Sequence, residues 1–260
     1  YSHNASDKEL DELTYSWAEP LGDSFGYDPT NPSATALTFA PSPPYSVTTP
    51  IPGNPTLDPQ TGEIAYFSTT SGVFVTCVKV EANKCGQLVA EIYREVQVVL
   101  IACNTMPGGL PNNPPDVTAP FLDLSGNPTY GDTVYAGDFI SFNIEGVDPD
   151  MYNGVTPQDL TMSISGGQMA GDYINVFDCD NPPCATFNNG AGVVPPNIIA
   201  PSLVSGVFEW QTTCDHLYAN VGCGTTSNTF TFVVKVEDDF CPANGITIAT
   251  IKIVVFPPEP

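Results

Sequence analysis

One stretch of sequence occurs twice in this chain. Residues Val78–Cys85 read Val-Lys-Val-Glu-Ala-Asn-Lys-Cys, and residues Val234–Cys241 read Val-Lys-Val-Glu-Asp-Asp-Phe-Cys. Each copy is followed by a long apolar segment, Glu91–Ile101 in the first half and Thr247–Phe256 in the second. Valine at alternate positions, with charged residues between, is typical of a β-strand that buries one face. The repeat therefore predicts two copies of one β-sheet module.

Two further pairs of segments lie in the same order around this repeat. Asp7–Thr14 parallels Asp148–Thr161, which contains an insertion, and Glu63–Tyr66 parallels Val207–Trp210. Chance similarity between short β segments would not preserve the order of all these matches. Two modules of one kind are therefore the simplest explanation.

The two predicted modules differ in how they begin. We place them at residues 1–102 and 116–260, on either side of a linker at 103–115 that is rich in Pro, Gly and Asn. The second module has its own strand-forming sequence before Asp148, whereas only six residues precede Asp7 in the first. The first module is therefore predicted to lack its opening strands. Either another chain supplies them at an open sheet edge, or the chain begins within a module.

The remaining sequence favours an all-β fold. Apolar and polar residues alternate in Phe139–Val147 and Leu160–Ile164, and turn-rich stretches such as Pro41–Pro44 and Asn112–Pro115 separate such runs. Many short strands between Gly and Pro loops are typical of β-sandwiches. We therefore predict two tandem immunoglobulin-like β-sandwiches.

The chain is strongly acidic, with 29 Asp and Glu against 6 Lys and Arg and a net charge of −23. Phosphate backbones and anionic lipid repel such a polyanion, so we expect no nucleic-acid partner. No apolar stretch approaches the roughly 20 residues of a membrane helix, so we expect no membrane insertion. Excess carboxylate suits calcium, which takes oxygen ligands. The alternative is that the charge only keeps an exposed secreted protein soluble.

Sequence signatures of zinc-dependent hydrolysis and of nucleotide binding are absent. The chain has no H-E-x-x-H or P-loop pattern, and His3 and His216 are its two histidines. His216 lies in a cysteine-flanked insertion and is expected to be a surface histidine. We therefore predict that the chain is not an enzyme.

Several segments resemble one family of modules. Asp7–Trp17 resembles the acidic Leu-Thr-Tyr-Ser signature of cadherin-like and polycystic-kidney-disease-type (PKD) modules. With Leu57–Glu63 and Val78–Glu81, it resembles the repeats of giant Bacteroidota surface proteins, which include gliding-motility adhesins and substrates of the type IX secretion system. Phe208–Cys214 and Val236–Pro242 look like the same family. The resemblance implies PKD-like or cadherin-like modules at the cell surface.

This resemblance implies a structural or adhesive segment of an extracellular bacterial surface fibre. Its partners would be neighbouring modules, copies of itself, or a surface glycan or protein receptor. Filament assembly by strand exchange is a variant that the missing opening strands suggest. The alternative is a calcium-dependent glycan-binding accessory module of a secreted protein. Its sugar platform would use Tyr15, Trp17, Phe25, Tyr27 and Tyr45, although packing in a sandwich core or between modules is the favoured role of these residues.

Acidic residues at strand ends are the candidate calcium ligands. Asp7, Glu9 and Asp11 alternate, so their side chains should leave one face of the chain together. The whole candidate set is Asp7, Glu9, Asp11 and Glu81 in the first module, with Asp148, Asp150, Asp159, Glu237 and Asp239 in the second. The alternative is solvated acidic turns, where Asp is common as a turn former.

Eight cysteines indicate an oxidising, extracellular compartment. Cys179 and Cys184 bound a short loop that a disulfide could close, and the family pattern implies a bridge between Cys214 and Cys241. The other disulfide candidates are Cys77, Cys85, Cys103 and Cys223, whose connectivity is open. The resemblance also implies an O-linked glycan at Thr133, within an Asp-Thr-Val motif.

Overall fold

The computed structural model describes residues 1–21, 30, 39, 45–101, 112–152, 154–220, 227–241 and 244–258, with only the backbone at 218–220. Within these ranges the regular secondary structure consists of β-strands and one short 3₁₀-helix, Cys214–Asn220. The predicted all-β fold is therefore confirmed. Two compact units are present, one formed by Tyr1–Ala5 and Leu13–Ala102 and the other by Ser6–Glu12 and Cys103–Pro260. The predicted module boundaries and linker stay a prediction, since residues 102–111 lie outside the described ranges.

The first unit is built on a three-stranded sheet. Its order is β1 (Glu12–Trp17), β4 (Gly72–Lys84) and β5 (Gln87–Leu100), and β2 (Thr56–Leu57) pairs with β3 (Ile64–Ala65) in a small separate hairpin. Strands β4 and β5 pair antiparallel from Gly72–Leu100 to Lys84–Gln87. Their two turn residues, Cys85 and Gly86, both have positive φ, which matches the right-handed twist of a tight β-hairpin.

The core of the first unit is small. Its packed apolar cluster comprises Tyr15, Ile64, Val78 and Val80, with half-buried neighbours around them. Ile51, Cys77, Ala82 and Val98 are also buried in this unit, outside that cluster. Alternate residues of β4 point into this core, because side chains of a strand alternate between the two faces of the sheet.

The second unit is a β-sandwich of two sheets. One sheet has the order β14 (Thr186–Asn188), β16 (Leu203–Gln211), β10 (Phe139–Val147) and β6 (Asp116–Thr118). The other has the order β15 (Ile198–Pro201), β13 (Asp159–Ser165), β17 (Asn228–Asp238), β18 (Ile246–Phe256) and β9 (Gly131–Tyr135). Two small hairpins complete it: β7 (Phe121–Leu122) with β8 (Pro128–Thr129), and β11 (Met151–Tyr152) with β12 (Thr156–Pro157).

Aromatic residues from both sheets fill the core of the second unit. Phe208 on β16 lies 4.8 Å from Phe232 on β17, and Trp210 lies 4.9 Å from Phe230, measured between ring centroids. Gly206 leaves room for the ring of Phe187, since a Cβ there would lie 2.1 Å from it. On β16 the buried residues alternate with less buried ones, so the alternation that predicts this strand also specifies which of its faces is buried.

The expected surface position of His216 was wrong. It is fully buried, and its ring lies 4.9 Å from that of Trp210, whereas a surface position was expected. The Thr213 N–H donates to Nδ1, so Nε2 carries the hydrogen and donates to the Asn181 carbonyl at 3.1 Å. Burial lowers the pKa of His216, which keeps the imidazole neutral.

Candidate interaction surface

The repeated Val-Lys-Val-Glu motif has the same structure in both units. Its valines point into the core and are at most 4 % exposed; they are Val78, Val80, Val234 and Val236. Its Lys and Glu form an ion pair on the opposite face, with N–O distances of 2.7 Å for Lys79–Glu81 and 3.0 Å for Lys235–Glu237. Strands β4 and β17 are therefore equivalent, and so are the strands that follow them, β5 and β18.

Strand register extends the equivalence residue by residue. Val78 lies opposite Arg94, and Val234 lies opposite Ala249. Counting along each strand from these positions, Gln97–Ile101 in the first unit corresponds to Lys252–Phe256 in the second.

In the second unit this stretch of β18 is covered on its edge and on its inner face. Strand β9 runs parallel to it and pairs along Lys252–Phe256. On the inner face, Ile251, Ile253 and Val255 are fully buried in the core shared by the two sheets.

In the first unit the corresponding stretch is open. Among the described residues, β5 pairs with β4 alone, so no strand lies along its other side. On this strand and just past it, Ile92 is 62 % exposed, Val99 56 % and Ile101 59 %. We call Gln97–Ile101 the open edge. An exposed, apolar edge strand is a ready template for pairing with another strand.

The hairpin that carries the open edge exposes further apolar side chains. Val73 lies opposite Val99 and Val75 lies opposite Gln97, so these exposed valines adjoin the open edge. Leu88 and Val89 are exposed near the turn, at the other end of the hairpin. The valines of β4 therefore extend the apolar surface of the open edge.

The predicted calcium ligands of the first module do not converge. Asp7 accepts a hydrogen bond from the Asp11 N–H at 3.1 Å, which closes a local turn, while Glu9 is exposed. Glu81 is held by Lys79 on the outer face of β4. These contacts match the alternative of acidic turns and surface ion pairs.

Most predicted ligands of the second module also have local partners. Glu237 pairs with Lys235, and Asp239 accepts the Asp159 N–H at 3.0 Å and the Tyr152 hydroxyl at 3.1 Å. Asp150 accepts the N–H of Asn113 at 2.7 Å.

Asp148 differs from these residues. It is fully buried; its Oδ1 accepts the Asp150 N–H at 2.8 Å, while its Oδ2 has no partner among the described residues. Burial, followed by the charges of Asp150, Asp238 and Asp116, raises the pKa of Asp148. Within the described part of the chain, no three His, Cys, Asp or Glu side chains are grouped as a metal site. The calcium sites therefore stay a prediction.

The cysteines follow the predicted pairing in one place and depart from it in another. Cys179 and Cys184 form a disulfide with a Cα–Cα distance of 5.8 Å, whereas Cys214 and Cys241 are exposed free thiols. The implied bridge between the latter two is wrong, because they lie beyond opposite ends of the eleven-residue strand β17. The Asn228 side chain donates to the His216 carbonyl, which places the Cys214 segment at the start of β17, whereas Cys241 follows its end.

The remaining cysteines have separate environments. Cys85 is disulfide-bonded in the β4–β5 turn. Cys77 is a buried free thiol whose pKa burial, with the nearby Glu95 charge, raises to about 12. Cys103 and Cys223 lie outside the described residues.

The structure describes some of the residues predicted to carry a glycan or to bind one. Thr133 is exposed on β9 and stays a prediction as a glycan acceptor. Tyr15 is buried in the first core, Trp17 packs against that core, and Tyr45 contacts Phe74 edge to face. Phe25 and Tyr27 lie outside the described residues. The described aromatic residues thus serve packing.

Sequence reasoning missed the side-chain exposure of the open edge. Glu91, Arg94 and Glu95 interrupt the apolar pattern of β5 on both faces, and this was the available signal that the strand is not fully buried.

No helix within the described ranges has the length and apolarity needed to cross a membrane.

No family model and no curated protein sequence matches the chain. Among solved structures, the BIgI domain of the beta protein from S. agalactiae, bound to CEACAM1, is similar at 13% identity over 56% of this chain and 97% of that one, with a TM-score of 0.29. AggA, the major subunit of aggregative adherence fimbriae type I from Escherichia coli, is similar at 11% identity over 56% and 95%, with a TM-score of 0.28.

The cadherin-like domains 1 to 4 of zebrafish RET are similar at 12% identity over 95% of this chain and 41% of that chain, with a TM-score of 0.22. At TM-scores this low, these likenesses carry no argument about what the chain binds or how it assembles.

Proposed function

We propose that the chain is a structural and adhesive segment of an extracellular bacterial surface fibre, with no catalytic role. The repeated hairpin carries this proposal: two consecutive units are built on one Val-Lys-Val-Glu strand with the same ion pair on its outer face. Repetition of a β-sheet module is how extended arrays gain length, since each added unit brings its own core.

The covalent and charge properties of the chain suit this role. The Cys179–Cys184 bridge and the bonded Cys85 fit an oxidising compartment outside the cytoplasm. A net charge of −23 keeps neighbouring copies soluble at a crowded surface. The finer proposal is a surface protein of the Bacteroidota kind, of the gliding-motility or type IX secretion type.

Surface labelling of source cells tests the proposal. An antibody raised against the purified chain should label intact, unpermeabilised cells, and brief protease treatment of those cells should remove the signal. A cytoplasmic protein of the same cells serves as the control and should label only after permeabilisation. Labelling that requires permeabilisation would reject the proposal.

A calcium-dependent variant is the second candidate, and the buried Asp148 favours it. Its Oδ2 lies without a partner among the described residues, beside the charges of Asp150, Asp238 and Asp116. A bound calcium ion would supply positive charge that offsets the repulsion among these carboxylates.

Thermal melting with calcium and with chelator tests this variant. Calcium should raise the melting temperature of the second unit, and Asp148→Asn should abolish the increase. Asp180→Asn, an exposed carboxylate paired with Lys8, is the control that keeps it. Identical melting curves with calcium and with chelator would remove calcium from the account.

A further inference from the structure

We propose that the open edge accepts a β-strand from another polypeptide, which pairs in parallel with Gln97–Ile101 and carries apolar side chains at alternate positions but no net negative charge. This deepens the proposed function, on which it rests, by naming how one module of an array joins the next.

The second unit supplies the template for this pairing. The Lys252 N–H donates to the Tyr130 carbonyl at 2.9 Å, and the Phe256 carbonyl accepts the Ala136 N–H at 2.8 Å. Alternate residues of β18 therefore direct their backbone polar groups towards β9. By the equivalence of the strands, Gln97, Val99 and Ile101 direct theirs towards the open edge.

The inner face of β5 sets the apolar character of the incoming segment. Val96, Val98 and Leu100 correspond to Ile251, Ile253 and Val255, so both strands present aliphatic residues to the core. In the second unit all three are fully buried, whereas Val96 and Leu100 are only half-buried. A strand that covers these residues gains apolar burial as well as hydrogen bonds.

Charge decides which strand fits. Glu91 and Glu95 are exposed on the outer face of β5, and Arg94 is the only basic residue of that strand. A second copy of the chain would add another net charge of −23, which repels. A neutral or basic strand avoids this repulsion. Strand β5 also contains no Pro or Lys, the residues that most often block edge pairing.

A labelled peptide tests the pairing on the intact 260-residue chain. The peptide has the sequence of residues 128–147, which form β9 and β10 in the second unit, and carries Asp132→Val and Glu145→Lys, which remove its net negative charge. Binding is followed by fluorescence anisotropy, and the contact is located by amide hydrogen exchange. We expect protection of Gln97, Val99 and Ile101, and at least threefold weaker binding of the acidic parent peptide.

Two variants of the chain separate edge pairing from unspecific binding. Val99→Pro removes an N–H that faces the open edge and should weaken binding roughly tenfold or more. Val99→Thr keeps that N–H and should bind within about threefold of the unmodified chain. A peptide with Val134→Pro is the matched control on the other partner and should not protect the edge.

Several outcomes would overturn the inference. They are binding without protection of the open edge, equal binding by both Val99 variants, or no binding at all. Self-association of the chain that Val99→Pro abolishes would assign the edge to a second copy instead. Failure of surface labelling would reject the proposed function while leaving the peptide result intact, so the two failures are distinguishable.

Discussion

Val99 and Val254 hold the same position on the last strand of their units, but their surroundings differ. Val254 pairs with Thr133 of the parallel strand β9, whereas Val99 is 56 % exposed and, among the described residues, has no strand on that side. The chain thus presents one hairpin twice, once closed and once open.

Proline should destabilise the second unit at Val254 but have little effect on the first unit at Val99. Val254→Pro removes a hydrogen bond to β9 and should destabilise the second unit by about 1–3 kcal/mol. Val99→Pro loses no such bond and should change the free energy of unfolding of the first unit by less than about 0.5 kcal/mol. Denaturant unfolding of each variant measures both effects, and equal destabilisation by the two prolines would mean that the Val99 N–H is already hydrogen-bonded.

The first unit should lose stability as the pH falls from about 6.5 towards 4. His3 is 2 % exposed; burial, followed by the Arg94 charge, lowers its pKa to about 4, against about 6.5 in an unfolded chain. Between these values the unfolded state binds a proton that the folded state does not, so the stability present above pH 6.5 is lost as the pH drops.

Fluorescence of Trp17 reports this transition, taken as the difference between the chain and its Trp17→Phe variant. His3→Gln should flatten the pH dependence of the first unit. A dependence that survives this substitution would assign the effect to other groups.

The disulfide between Cys179 and Cys184 should stabilise the second unit moderately. The Trp210 indole donates to the Pro183 carbonyl at 2.9 Å, so the loop that this bridge closes is fixed against the core. Chain-entropy reasoning for so short a loop gives about 2 kcal/mol. Replacing both cysteines with serine should lower the denaturation midpoint, followed by Trp210 fluorescence. Cys214→Ser is the control and should leave it unchanged; an unchanged midpoint in the double variant would show that the loop is held by its packing alone.

The three described free cysteines should differ in their reactivity towards a thiol label. Cys214 and Cys241 are exposed and should react with a maleimide in the native chain. Cys77 is buried with a raised pKa, so it should react only after unfolding. Peptide mapping by mass spectrometry identifies the labelled residues. Native protection of both Cys214 and Cys241 would restore the bridge that the resemblance implied.

Much of the fold could be predicted, because period-two alternation is a local property of each strand. The Val-Lys-Val-Glu repeat identified equivalent strands, and the valines and charged residues lie on the faces that the alternation predicts. The segment Ser6–Glu12 was assigned to the first module by its motif, yet it groups with the second unit. Leu10 packs against the core there, a tertiary contact that no local pattern encodes.

The sites were harder to predict, because they depend on which partners folding brings together. His216 is buried by Trp210 and Phe230, and no spacing in the sequence indicates that contact. The family-implied bridge between Cys214 and Cys241 fails because pairing depends on the distance between strand ends. Among the candidate calcium ligands, Asp148 is distinguished only by its burial, which becomes visible once the sandwich is assembled.

Amide hydrogen exchange of the isolated chain tests the central claim most directly, namely that one hairpin is closed in the second unit and open in the first. We expect slow exchange at Lys252, Val254 and Phe256, whose backbone faces β9, and fast exchange at their equivalents Gln97, Val99 and Ile101. Equal protection at the two sets of positions would mean that the edge of β5 is already paired, so that neither hairpin is open.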